Sequence, residues 1–147
     1  MSKTYSVLVV GLGKRGLHHA AAFHANPRFR LAGICDIDAQ RLADAAPKVG
    51  NPQTGTDAAQ LAQALHPDVF CFCTLTNLRL PLIQTGIAAG AQLIAFEKPV
   101  AVSSREALEI KRLLERAGVK AVVSHQHRYG AHYRQVQELI ARGALGR

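Results

Sequence analysis

Ser6-Val7-Leu8-Val9-Val10-Gly11-Leu12-Gly13-Lys14-Arg15-Gly16 is the stretch that decides the fold of this 147-residue chain. Residues 6–10 form a short, mostly β-branched run that reads as a strand. The G-x-G-x-x-G spacing follows it directly and opens a helix over 14–25, with Leu17, Ala20, Ala21 and His24 on one stripe. Strand, glycine turn and helix in that order are the context in which the spacing carries information. Gly11 permits the tight turn. Gly13 has no side chain to hold an anion away from the backbone, and Gly16 lets the helix pack close to the strand. The exposed N–H groups of the helix start then suit a pyrophosphate. Lys14 and Arg15 stand in the first turn, where the helix dipole disfavours cations and a bound anion would relieve the cost. A mononucleotide P-loop is a poor alternative, because Leu17 follows Gly16 where that motif needs Lys and Ser or Thr.

A second strand over 29–35 runs into Asp36, 20 positions after Gly16. A carboxylate there accepts hydrogen bonds from adenosine ribose hydroxyls and repels a 2′-phosphate, which favours NAD over NADP. Arg41, five residues on, tempers that preference. Helices are expected over 39–46 and 58–65, with a Gly-, Pro- and Asn-rich loop at 47–55 between them. Residues 69–73 are an unbroken apolar run, as for a strand buried on both faces. A helix over 78–89 follows, with Asn77 as N-cap, Pro81 in its first turn and Gly90 at its end. Residues 92–96 read as a strand. Helix 103–117 carries a Ser103/Glu106 capping box, a stripe of Ala107, Ile110, Leu113 and Leu114, and a stop at Gly118. A strand over 119–124 and a helix over 129–142 complete the chain. Alternation of this kind predicts an α/β, doubly wound parallel sheet with helices on both faces. Ligands of such sheets sit beyond the carboxyl ends of the strands, near the point where strand order reverses. The residues to inspect are therefore 11–16, Asp36, 74–77, 97–99 and 124–128.

Length and composition bound the alternatives. The chain suits one domain over 1–147, with a core of about 1–124 and a closing helical segment at 125–147. Its 18 basic and 10 acidic residues leave a net +8, but the basic residues are scattered. Trp is absent and Phe and Tyr together number eight, so no aromatic-studded basic patch points to nucleic acid. No apolar run reaches the ~20 residues that span a bilayer, and no secretory signal is visible. Cys35, Cys71 and Cys73 are an odd set in apolar stretches, which predicts free thiols and a cytoplasmic setting. Cys71 and Cys73 with His125 and His127 make a conceivable zinc set, but C-x-C spacing is wrong for it and no metal is expected.

Glu97-Lys98-Pro99 ends the strand over 92–96. Alternation sends Glu97 and Lys98 to opposite faces, so no ion pair between them is expected. Spacing alone favours an exposed strand-end lysine at Lys98 over a group reaching into the crevice to exchange a proton with a substrate hydroxyl.

The glycine loop, Asp36, the run 68–73 with Thr74 after it, Glu97-Lys98-Pro99, residues 125–128 and the closing Gly143-Ala144-Leu145-Gly146 together resemble the N-terminal half of the Gfo/Idh/MocA oxidoreductases. The resemblance covers essentially the whole chain. It implies a Rossmann domain that in the family precedes a second α/β domain with a large open sheet, expected to be absent from these 147 residues. It also implies hydride transfer between NAD or NADP and a hydroxyl or carbonyl carbon of a sugar, cyclitol or related small molecule. By resemblance, Lys98 is the catalytic, substrate-side lysine, positioned by Glu97 and Pro99. Gly11, Gly13, Gly16 and Asp36, with Lys14 and Arg15, hold the dinucleotide. Thr74 and Asn77 line its groove, His19 matches a first-helix histidine, and Arg128 lies toward the substrate. Leu75 stands where the family usually has Pro, and Arg79 and Gln92 where it often has His. The second domain carries most substrate contacts, the usual dimer surface and a relay histidine, so this chain alone is expected to bind cofactor and turn over poorly. Homo-oligomerisation is also expected, because a sheet without its companion exposes apolar surface. The competing reading is a non-enzymatic nucleotide-binding or redox-sensing interaction module.

Overall fold

β1 (Tyr5–Val10) lies at the centre of the molecule with Val7, Leu8 and Val9 fully buried. Its residues alternate between faces, so Val7 and Val9 join one apolar cluster and Leu8 and Val10 another. The computed structural model describes residues 3–146. From β1 the chain passes through α1 (Lys14–Ala25), β2 (Phe29–Cys35), α2 (Ala39–Ala45), β3 (Gln53–Gly55), α3 (Ala58–Leu65), β4 (Val69–Phe72), α4 (Arg79–Ala88), β5 (Leu93–Glu97), α5 (Ser104–Ala117), β6 (Lys120–Ser124) and α6 (Ala131–Ala141). The six strands form one parallel sheet in the order β3-β2-β1-β4-β5-β6. Strand order reverses between β1 and β4, which places the crevice at their carboxyl ends.

Helices cover both faces. Residues of α3, α4 and α5 pack with Leu8, Phe70, Phe72, Ile94 and Phe96 on one side. Residues of α1 and α2 pack with Val7, Val9, Ile34 and Cys71 on the other. Each fully buried Val, Leu, Ile or Phe contributes ~1.5–3 kcal/mol. Side-chain caps start three of the helices. Asp38 accepts from Gln40 and Arg41, Asp57 from Ala59 and Gln60, and Ser103 from Glu106. The reciprocal arm of the Ser103/Glu106 box is shifted by one residue, since Glu106 Oε2 accepts from the Val102 N–H at 2.8 Å.

Three expectations are corrected. The 47–55 loop contains a 3-10 turn (Ala46–Val49) and the edge strand β3, which pairs with Gly33, Ile34 and Cys35. Asn77 does not cap α4, because it is taken up in a 3-10 turn (Thr76–Leu78) and α4 begins without a side-chain cap. The last helix starts at Ala131 after another 3-10 turn (Gln126–Tyr129), and none of its residues is buried.

Candidate functional site

The glycine turn is built from contacts that exclude side chains. Gly11 has φ +83°, and a Cβ on it would lie 2.9 Å from the Cys73 carbonyl oxygen. A Cβ on Gly16 would run into the Gly11 carbonyl. Gly13 is different: a Cβ there meets nothing within 4 Å. It faces open space at the N-cap of α1, where no side chain caps the first N–H groups. These uncapped donors and the bare Gly13 flank are what an oxyanion needs.

A cavity of ≈ 460 Å³ runs from this turn between the ends of β2 and β4. Gly11, Gly13, Asp36, Ile37, Arg41, Thr74 and Leu75 are among its lining residues. Larger hollows of ≈ 670 and ≈ 540 Å³ lie at the amino ends of the strands and over the β5–β6 face. Neither contains the glycine turn or Asp36. The Thr74 hydroxyl is buried without a hydrogen-bond partner, an orphan that a ligand group would satisfy.

Asp36 is buried at the floor of this cavity. Its Oδ2 accepts from the Leu12 N–H at 2.6 Å, inside the glycine turn, and its Oδ1 from the Asp38 N–H at 3.0 Å. Arg41 Nη1 lies 3.3 Å from both oxygens. Burial alone would push the Asp36 carboxyl up. The two backbone donors and the guanidinium outweigh it and hold the carboxyl below its usual range.

Glu97 closes β5 on the far side of the sheet's reversal and is also buried. Its Oε1 accepts from Arg15 (Nε 3.3 Å, Nη2 3.2 Å) and from His19 Nε2 at 2.9 Å. Arg15 and His19 are one turn apart on α1, so one helix face supplies both donors. Burial would again raise this carboxyl, and His19, Ser124 and Arg15 together hold it down. The His19 ring, the Cys73 thiol and the Glu97 carboxylate lie within 4.8 Å of one another. Arg15 already donates to the Glu97 oxygen, so a guanidinium meets the carboxylate's charge there. The Cys73 thiol is held down chiefly by the neighbouring Cys71, while burial pushes Cys35 up to about 11.

Of the residues expected at the site, Gly11, Gly13, Asp36 and Thr74 meet in the cavity, with Gly16 packed behind the turn. Lys14 is exposed at the helix start, Arg15 is committed to Glu97, and Asn77 is exposed on its 3-10 turn. Lys98 is exposed after β5, in a cis Lys98–Pro99 peptide. Arg128 and His125 are exposed beyond β6. The conceivable zinc set does not stand out, since Cys71 is buried in β4 while His125 and His127 are exposed. Sequence reasoning missed the Arg15–Glu97–His19 group and the burial of Arg79. The four-residue spacing of Arg15 and His19 was the available signal for the first. For the second it was the Arg79, Ile83, Gly86 stripe on α4.

Comparison with known proteins supplies the context. The family model described as the GFO_IDH_MocA oxidoreductase family, NAD-binding Rossmann fold, matches residues 5–125. D-glucoside 3-dehydrogenase of Escherichia coli (strain K12) is 24% identical over 146 residues, covering 99% of this chain and 41% of that protein. D-apiose dehydrogenase of Paraburkholderia graminis is 26% identical, covering 98% of this chain and 38% of its own length. The crystal structure of scyllo-inositol dehydrogenase from Lactobacillus casei, with NAD(H) and scyllo-inositol bound, shares the fold. It superposes with a TM-score of 0.87 at 20% identity, over 98% of this chain and 43% of that one. The chain thus spans about two fifths of the length of these relatives. The relatives are dehydrogenases, and nothing among them favours a non-enzymatic interaction module. Among the described residues, no helix is long and apolar enough to cross a membrane.

Proposed function

Because the chain belongs to the Gfo/Idh/MocA oxidoreductase family, with its NAD-binding Rossmann fold, we propose that it is the cofactor-binding part of a dehydrogenase. The substrate class is a sugar, cyclitol or related polyol, oxidised or reduced at a hydroxyl-bearing carbon. One observation carries the reading: an uncapped helix start, a bare Gly13 and the buried Asp36 share one cavity at the point of strand reversal.

Bound NAD supplies the hydride chemistry. The chain's own residues bind and orient. N–H groups of residues 13–16, with Lys14 beside them, take the diphosphate, whose bridge can approach closely over Gly13. Asp36 accepts from the adenosine ribose, and Arg41, half-exposed, swings aside to free its oxygens. The unpartnered Thr74 hydroxyl donates to the ligand, and Asn77 borders the groove. Glu97, tied to α1 through Arg15 and His19, fixes the end of β5. Lys98 then exchanges the proton of the substrate hydroxyl. Asp36 favours NAD over NADP. We place the protein in the cytoplasm on the strength of its three free thiols. We also expect copies to self-associate through exposed apolar residues such as Val122 and Ile140.

Calorimetry with NAD⁺ and NADP⁺ tests the reading. Binding of both with NAD⁺ tighter is expected, and Asp36→Ala should narrow the ratio. Lys98→Ala should leave NAD⁺ affinity unchanged. Absence of binding by either coenzyme would refute the proposal.

A further inference from the structure

Among the described residues Arg79 is the largest side chain that is fully buried, at 1% exposure, and nothing in the dinucleotide reading uses it. The α4 stripe of Arg79, Ile83 and Gly86 carries it inward. A cation so placed is costly unless its donors are met. Among the described residues it forms no ion pair with a carboxylate. Its partners are backbone carbonyls and aromatic faces instead. Nη1 donates to the Thr74 carbonyl at 3.0 Å and Nε to the Pro99 carbonyl at 3.3 Å. The guanidinium carbon lies 5.6 Å from the Phe72 ring centroid and 5.8 Å from that of Phe96. Those two rings, from β4 and β5, stack at 5.3 Å and 6°.

The two carbonyls belong to different loops. Thr74 follows β4 and lines the cavity. Pro99 follows Lys98 at the exit of β5. One rigid, forked group thus bridges the two segments that bracket the crevice. A fork of this shape can serve two acceptors in different directions, which a lysine ammonium does less well.

We propose that Arg79 is a positioning residue for Lys98. By joining the Pro99 carbonyl to the Thr74 carbonyl, it sets where the lysine amine stands relative to the nicotinamide end of the crevice. The proposal rests on the dinucleotide reading above. It assigns Arg79 no contact with cofactor or substrate. A misplacement of about 1 Å at such a group can cost on the order of a hundredfold in rate, so a dedicated clamp is warranted.

Lys98 is exposed, so its amine can be followed directly. The experiment measures the rate of its acylation by a small amine-reactive ester, read by peptide mass spectrometry on the whole 147-residue chain. Lys120, at the opposite end of the sheet, serves as internal control. Rates are taken without ligand, with NAD⁺ and with ADP-ribose, which lacks the nicotinamide. In the unmodified protein NAD⁺ should slow Lys98 acylation about tenfold and ADP-ribose less than about threefold, while Lys120 is unaffected. Arg79→Met should cut the NAD⁺ protection of Lys98 to below about twofold with NAD⁺ affinity within about threefold of the starting value. Arg79→Lys keeps the charge without the fork, and its protection should fall between the two. It also keeps the question answerable if the Met variant does not fold.

Full protection in a folded Arg79→Met or Arg79→Lys variant would reduce Arg79 to core filling and overturn the proposal. If NAD⁺ binds but never protects Lys98 in the unmodified chain, the placement of the lysine is wrong and the proposal falls with it. If calorimetry shows no NAD⁺ binding at all, the dinucleotide reading has failed first.

Discussion

Asp36 and Glu97 are the same chemistry used in two ways. Each is a buried carboxylate at the carboxyl end of a strand, each meets an arginine, and each is held below its usual carboxyl range. Their strands flank the central β1–β4 pair on opposite sides. The donors differ. Asp36 is gripped by two backbone N–H groups, one from the glycine turn itself, with a half-exposed Arg41 added. Glu97 is gripped by side chains alone, Arg15 and His19 from one face of α1 with Ser124 of β6 beside them. Both carboxylates therefore anchor the same structure, the glycine turn and the start of α1, to the strands on either side. Backbone donors cannot rotate away, so the Asp36 anchor is rigid and the Glu97 anchor adjustable.

The largest expected effect tests that rigidity. Asp36→Asn forces an amide N–H₂ against a backbone N–H or the Arg41 guanidinium, in a buried place. It should cost about 2–4 kcal/mol, read as a lowered urea midpoint with unchanged slope. A loss below about 1 kcal/mol would break the comparison. Glu97→Gln keeps an acceptor oxygen for His19 and Arg15, which can reorient. The cost should be smaller, about 1–2 kcal/mol, by the same titration.

pH dependence follows from both anchors together. A carboxyl held down in the folded state binds fewer protons than in the unfolded chain, so stability rises with pH through the acid range. Its contribution is complete above the ordinary carboxyl range and is lost as pH falls through the depressed folded values. Thermal melts should be flat from about pH 7 to 5 and fall steeply below about pH 4. Asp36→Asn should make the acid limb shallower. The smallest effect on stability belongs to Arg41→Ala, within about 1 kcal/mol because the guanidinium is half-exposed. Its mark is on selectivity: calorimetry should show NADP⁺ affinity falling more than NAD⁺ affinity. Equal changes would mean that Arg41 does not face the 2′ position.

What was legible in the sequence was what local order encodes. The run 6–16 and Asp36 twenty positions later announce a strand, a turn, a helix and an acid, because neighbouring residues dictate each step. The edge strand β3 was not legible. Gln53-Thr54-Gly55 has neither length nor apolar alternation, and it becomes a strand only because β2 offers a free edge. Asn77 looked like a cap, but the preceding turn tightened into 3-10 geometry and moved the helix start past it. Glu97 meets Arg15 and His19 across 82 and 78 residues, a contact that only the folded sheet brings about. Arg79 was hidden by the general habit of arginine to stay at the surface, which two backbone carbonyls and two aromatic rings override here.

The central claim is that the turn at residues 11–16 and Asp36 form one dinucleotide cradle. An amide NMR titration of the ¹⁵N-labelled chain with NAD⁺ tests it most directly. Saturable shifts concentrated at Gly11, Leu12, Gly13, Lys14, Arg15, Gly16 and Asp36, with α6 unmoved, are the predicted result. Spectra unchanged at saturating NAD⁺, or shifts confined to the β5–β6 face, would contradict it.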